Sequence, residues 1–221
     1  MDLMEAIRTR HSVRQYTGQP LSEEHRQALK AILEECERES GIRLQLVLDD
    51  PECVTGFFAA HYGHFRNAYN YIALIGPKDR PDLEETAGYY GEKAVIEAQR
   101  IGLRTCWIAG TYSKKKCKAE IGDDEKLACV ISVGYGENDG RPHRNKPVGK
   151  ICSVPEADMP AWFRTGLEAA MAAPTAINQQ KFTISLDGEN AVIRADKGPY
   201  SMIDLGIVRY HFEAASGHRT I

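Results

Sequence analysis

The residues of this chain best suited to chemistry gather first near its amino terminus, where positions 8–17 read RTRHSVRQYT. Arg8, Arg10, His11 and Arg14 bring positive charge together, and Ser12 sets a hydroxyl among them. Guanidinium groups grip phosphate through paired, charge-assisted N–H donors, so this pattern suits a phosphorylated ligand. A second basic stretch, RPHRNKPVGK at 141–150, adds Arg144 and Lys146 as candidates. The whole chain carries a net charge of −3. That speaks against the broad basic face of a nucleic-acid binder and leaves room for a local anion pocket.

Other motifs fall short of a site. GYGENDG (134–140) contains G-x-G, but a correctly placed third glycine and a following helix are both missing, which excludes a dinucleotide fingerprint. His61 and His64 in HYGH stand three apart as a metal pair would on a helix, yet no third ligand accompanies them and no metal is expected. Cys117 lies within KKKCK, where lysines lower a thiol pKa, but an incidental solvated cysteine is the simpler reading. The six cysteines form no C-x-x-C pair and read as reduced thiols of a reducing compartment. The charged amino terminus and the strand-sized apolar runs at 71–76 and 127–133 predict a soluble, cytoplasmic protein without a membrane partner.

These residues need a scaffold, and 221 residues at 43% hydrophobic content suffice for a core without disulfides. The pattern predicts helices over 2–9, 21–40, 86–101, 158–173 and 202–216. Ser22 is a good N-cap for the second, and Glu23 and Glu24 suit the positive end of its dipole. Strands are predicted at 43–48, 71–76, 105–110 and 127–136, with YIALIG at 71–76 apolar enough to be central. FTISL and AVIRA, around DGEN, predict a hairpin at 182–195. The mixture defines an α+β fold class.

Four stretches together resemble the FMN-dependent nitroreductase family. RHSVRQY (10–16) is similar to its R-x-S-x-R-x-[FY] signature, and IGLRTCWIAGTY (101–112) to its G-L-x-x-x-W-I-x-G segment. VGYGENDGRPHRNKPVGKI (133–151) resembles its glycine-ended strand and basic loop, and APTAINQQKF (173–182) its A-P-S-x-x-N-x-Q-P-W motif. The resemblance implies the nitroreductase fold with FMN as cofactor. Arg10, Ser12, Arg144 and Lys146 would then touch the phosphate, with His11 a weaker candidate beside them. Arg14 would sit near flavin N1, Ala109 and Gly110 would present backbone to N5, and Pro174, Thr175, Ala176 and Asn178 would complete the site. The family often has an acid where this chain has Ala109. His64, Arg66 and Asn67 are equal candidates for a further ring contact. No side chain is required as a nucleophile. The implied reaction passes a hydride from NAD(P)H through the flavin to a nitroaromatic, quinone or similar small acceptor, by a ping-pong route. The alternative is a flavin-binding sensor or storage module with little turnover.

The order of the motifs is unusual, because APTAIN follows the basic loop instead of preceding it. Sliding the sequence by roughly 138 positions sets LSEEHRQALKAILEE over MPAWFRTGLEAAMAA. This predicts an internal duplication, with pseudo-repeat halves of about 1–150 and 151–221 in one domain. In typical nitroreductases the A-P-S-x-x-N segment reaches in from a partner subunit. Here the second half is expected to play that partner, making the chain a monomeric pseudo-dimer.

Overall fold

The computed structural model describes residues 1–55 and 64–221. It contains six α-helices and six strands among those residues: α1 (Leu3–Thr9), α2 (Glu23–Ser40), β1 (Arg43–Val47), α3 (Pro51–Thr55), β2 (Tyr71–Pro77), α4 (Leu83–Arg100), β3 (Arg104–Ile108), β4 (Glu125–Gly134), α5 (Ala161–Met171), β5 (Phe182–Asp187), β6 (Asn190–Ala195) and α6 (Ser201–Ser216). The helix signals act where the sequence puts them. Asp2 Oδ1 accepts the Glu5 N–H at 2.8 Å, the Ser22 hydroxyl accepts the His25 N–H at 3.2 Å, and Gly41 closes α2 in the left-handed region at φ 68°.

β1, β2, β4 and β3 lie in that order in one antiparallel sheet. β2 is central, as its unbroken apolar run predicts, and its side chains alternate between two buried faces. Ile72 and Leu74 face a core with α2, α4, α5 and α6, whereas Tyr71, Ala73 and Ile75 face a second core with Val13, Tyr16, Cys53 and Tyr112. β5 and β6 pair with each other in the expected hairpin, with single bridges from Cys152 to Ile184 and from Thr220 to Ala191.

The elements are divided unequally along the chain. All four sheet strands precede residue 151, and the hairpin with α5 and α6 follows it. Phe163, Phe182, Ile203 and Phe212 from the later part nonetheless share one core with Leu29, Leu74 and Val95 from the earlier part. The join is tightest between α4 and α6. A Cβ placed on Gly88 would meet the Ile203 carbonyl oxygen at 2.1 Å, and one on Gly206 would meet the Glu85 carbonyl oxygen at 2.0 Å. Two glycines thus let two helix backbones touch.

Several elements differ from the sequence expectation: α5 spans 161–171 where 158–173 is predicted, and β4 spans 125–134 where 127–136 is predicted. α3 has too few residues to show a helical period. α4 begins three residues earlier, at Leu83. β3 stops at Ile108, so Ala109 and Gly110 leave the sheet instead of ending a strand. No described helix is long and apolar enough to cross a membrane.

Candidate functional site

The RHSVRQY segment runs extended along the end of the sheet. The Val13 N–H donates to the Thr105 carbonyl (3.0 Å), the Tyr16 N–H to the Arg66 carbonyl (3.0 Å), and Arg66 N–H returns to the Arg14 carbonyl (3.0 Å). Val13 and Tyr16 are buried, and the Tyr16 hydroxyl shares a 2.8 Å hydrogen bond with Ser132 Oγ. Period-two alternation then turns Ser12 and Arg14 outward into a cleft.

That cleft has two chambers. The larger, about 710 Å³, is lined by Arg10, Arg14 and Arg141, by His11, His64 and His143, and, among the described residues, by no carboxylate. The smaller, about 320 Å³, has apolar walls from Phe65, Trp107, Ile203 and Ile207, with Thr111, Tyr200 and Asp204 among its polar members. Ser12, Arg14, Pro174, Thr175 and Ile177 line both. One end therefore attracts an anion and the other a flat apolar group.

Arg10 is 3% exposed, and its Nε has no hydrogen-bond partner among the described atoms. Glu92 Oε1 lies 3.7 Å from that Nε, an ion pair without a hydrogen bond. Glu92 is itself held by Trp107 Nε1–H (2.7 Å) and by His211, whose Nε2 is 2.8 Å from Oε1 and whose Nδ1 faces the Ala169 carbonyl at 2.9 Å. Arg10 also lines the charged chamber, so its guanidinium places positive charge there although its Nε lies beside Glu92.

The histidines of the charged chamber are governed by burial, which pushes the pKa of His11 and of His143 below the ordinary value. Carbonyl acceptors oppose the shift without reversing it: Asp139 O for His11 (3.3 Å) and Met171 O for His143 (3.1 Å). The permanent charge of the chamber therefore comes from its arginines. Gly140, at φ 74°, brings the 136–140 turn against His11, where a Cβ would meet His11 Cβ at 2.8 Å.

The 174–180 segment closes the cleft from the carboxyl-terminal part of the chain. Asp204 anchors it by accepting the Ala176 N–H (2.8 Å) and Gln179 Nε2–H (2.7 Å), while burial raises the Asp204 pKa. Ile177, Asn178 and Gln180 all adopt positive φ, at 49°, 55° and 45°. For a β-branched residue that is a strained conformation, and Ile177 is 89% exposed, so burial does not compensate it.

Most predicted residues meet in this cleft. Arg10, His11, Ser12, Arg14, Pro174, Thr175 and Asn178 line the charged chamber, and Ala109, Gly110 and Ala176 line the apolar one. Arg144 and Lys146 are exposed and are not among the described residues that line either chamber. The Arg144 carbonyl accepts Asn178 Nδ2–H and Gln180 Nε2–H, both at 2.9 Å, and Lys146 Nζ donates to the Gln180 carbonyl at 2.9 Å. They brace the closing segment, and their neighbours Arg141 and His143 take the cleft wall. Of the three open candidates, His64 lines the cleft. Arg66 pairs with Glu137, and Asn67 Nδ2–H donates to the Tyr16 carbonyl at 3.1 Å. His61 lies outside the described residues. Sequence reasoning also passed over Trp107, Tyr200 and Asp204; the tryptophan sat inside a quoted motif, while the other two had only the start of α6 to mark them.

Comparisons with known proteins agree with this architecture. A family model described as "Putative TM nitroreductase" matches residues 2–216. The chain belongs to that family. Among solved structures, a "putative nitroreductase" from Thermotoga maritima matches with a TM-score of 0.68 at 20% identity, over 97% of this chain and 83% of that one. A "putative nitroreductase in complex with FMN" from Desulfovibrio desulfuricans gives 0.54 at 23% identity, over 72% and 99%. An NADH dehydrogenase/NAD(P)H nitroreductase from Parabacteroides distasonis, so titled, gives 0.53 at 18%, over 67% and 95%. These likenesses establish the nitroreductase fold. No curated protein matches the sequence.

Proposed function

We propose that this protein is an FMN-dependent oxidoreductase that takes reducing equivalents from NAD(P)H and delivers them to a small acceptor such as a nitroaromatic or quinone. The observation that carries the reading is the two-chamber cleft, cationic at one end and apolar at the other. The volume of each chamber falls in the range of small-molecule pockets, and Arg10, Arg14 and Arg141 line the charged one. FMN, bound there, supplies hydride chemistry at its ring. Arg10, Ser12 and Arg141 would hold the phosphate by charge-assisted hydrogen bonds. Arg14, on both chambers, bridges phosphate end and ring end and places positive charge beside the ring. Phe65, Trp107, Ile203 and Ile207 exclude water from the ring, and Gly110 leaves its backbone accessible there. A Cβ at Gly110 would lie 3.0 Å from the Tyr200 hydroxyl, so a larger residue would crowd this wall.

The reading extends to the plan of the chain. The carboxyl-terminal part supplies Pro174–Asn178 to a cleft whose cations come from the amino-terminal part, the task a second subunit performs in a two-chain arrangement. Its support is that both sets of residues line one cleft within one chain.

The test is direct. Purified protein titrated with FMN should quench flavin fluorescence to a stoichiometric end point, and the complex should oxidise NADH or NADPH when a quinone or nitroaromatic is added. Failure to bind FMN would overturn the assignment; binding without turnover would reduce it to a flavin-binding module.

A further inference from the structure

On the sheet face away from α4 lies a cluster the cleft does not use: Asp50 just before α3, Cys53 on α3, Tyr71 on β2, and Cys117 on the loop after β3. Cys53, Asp50 and Tyr71 are buried, and Cys117 is half-buried. Two backbone bonds bring the cysteine-bearing segments together. Ser113 N–H donates to the Cys53 carbonyl at 2.9 Å, and Cys117 N–H donates to the Ser113 carbonyl at 3.1 Å.

The Cys117 sulfur accepts from the Cys53 thiol and the Ala119 backbone N–H, and the Tyr71 hydroxyl oxygen lies 3.3 Å from it. Tyr71 also reaches Asp50 Oδ2 at 2.7 Å and accepts the Lys118 N–H at 2.9 Å, so its oxygen is fixed from several sides. Among the nearby charges, Lys116 pairs with Glu52 at 3.5 Å, and Lys118 Nζ donates to the Asp49 carbonyl at 3.5 Å. Hydrogen-bond donors aimed at one sulfur favour its thiolate, and here the Cys53 thiol, foremost among them, holds Cys117 below the ordinary thiol pKa. Donating that bond, together with burial, pushes Cys53 the other way. One sulfur is the nucleophile and its neighbour keeps the proton.

We propose that Cys53 and Cys117 form a reversible dithiol–disulfide pair oxidised by hydrogen peroxide, with Cys117 attacking and Cys53 resolving. The Cys117 thiolate attacks one peroxide oxygen; an S–O bond forms, the O–O bond breaks, and the departing hydroxide takes a solvent proton to become water. Cys53 then attacks the sulfenic sulfur; the S–S bond forms, the S–O bond breaks, and the Cys53 proton leaves with the hydroxide as a second water. Two thiols lose two electrons and one peroxide gains them. The bond fastens α3 to the loop after β3, whose first residues, Ala109 to Thr111, line the apolar chamber. Oxidation thus staples a wall of the cleft.

The full-length, reduced protein is exposed to a small excess of hydrogen peroxide and mapped by peptide mass spectrometry without reduction. A Cys53–Cys117 linked peptide should form, with about two of the six thiols lost and recovered in dithiothreitol. Cys117→Ser should slow thiol loss roughly tenfold or more. Cys53→Ser should leave a Cys117 sulfenic acid that dimedone captures. If that buried substitution impairs folding, the wild-type map and the Cys117 variant decide alone. Full alkylation of Cys117 after peroxide, or equal linkage through another cysteine, would overturn the proposal. No readout requires bound flavin, so the result stands apart from the FMN reading.

Discussion

At the scale of single residues, the cleft separates cations that anchor from a cation that tunes. Arg141 lines only the charged chamber, whereas Arg14 lines both. Arg141→Ala should weaken FMN binding by about 1.5–3 kcal/mol, the worth of a hydrogen bond to a charged group, and leave the flavin potential nearly unchanged. Arg14→Ala should also lower that potential, by on the order of 30 mV, the two-electron equivalent of about 1.4 kcal/mol. Titration and spectroelectrochemistry on both variants check the distinction; a larger potential change in the Arg141 variant would reverse it. The histidines make a separate prediction about pH. Burial lowers the folded-state pKa of His11 and His143, so the folded chain binds fewer protons than the unfolded chain around pH 6.5. Stability contributed by these residues is present above that pH and is lost on acidification through it. Urea unfolding of the ligand-free protein at neutral pH and near pH 5 should show the loss. His143→Gln, which keeps a donor for the Met171 carbonyl, should flatten part of the slope.

At the scale of elements, the contact of α4 with α6 decides whether the two parts of the chain share a core. Gly88→Ala would gain up to about 1 kcal/mol of helix propensity on an isolated helix. Here its Cβ would sit 2.1 Å from a backbone oxygen that cannot rotate away. Separating the helices costs typically 1–3 kcal/mol as overpacking, so the net effect should be destabilising. Gly149→Ala, where a Cβ meets nothing within 4 Å, is the control, and thermal melts of the two variants compare them. The same elements tell how far the sequence could be read. α2 was legible because Ser22, the acidic first turn of Glu23 and Glu24, and an apolar periodicity give three independent signals, and β2 because six successive apolar residues have no place but the centre of a sheet. α3 was not, since PECVT is too short to display a period. The basic loop was legible as a cluster but not in its orientation. Which of Arg141, His143, Arg144 and Lys146 faces the cleft depends on the Gly140 turn and on hydrogen bonds to Asn178 and Gln180, residues more than thirty positions away. Tyr200 and Asp204 join the cleft only through the docking of α6, a tertiary event that leaves no local mark.

At the scale of the whole molecule, the question is whether one chain completes a site. The charged chamber draws Arg10, Ser12 and Arg14 from one end of the sequence and Pro174, Thr175 and Asn178 from the other. The core that positions them, from Leu29 and Val95 to Phe163 and Phe212, is likewise continuous across both parts. Saturated protein should therefore hold one FMN per chain at any association state. Stoichiometry alone does not separate this from an exchange of carboxyl-terminal parts between two chains, which gives the same ratio. Paired variants do. Arg10→Glu reverses the buried charge of the anion site and sets a carboxylate beside Glu92. Asn178→Asp places a carboxylate on the cleft wall and removes the donor to the Arg144 carbonyl. Each variant alone should lose most FMN affinity. After the two are unfolded together and refolded, exchanged chains would form one site in each pair free of both substitutions, and flavin binding would partly return. A site closed within one chain admits no such repair, because every chain still carries its own defect. Fluorescence titration of the refolded mixture should thus match the mean of the separate variants, and clear recovery would assign the site to two chains.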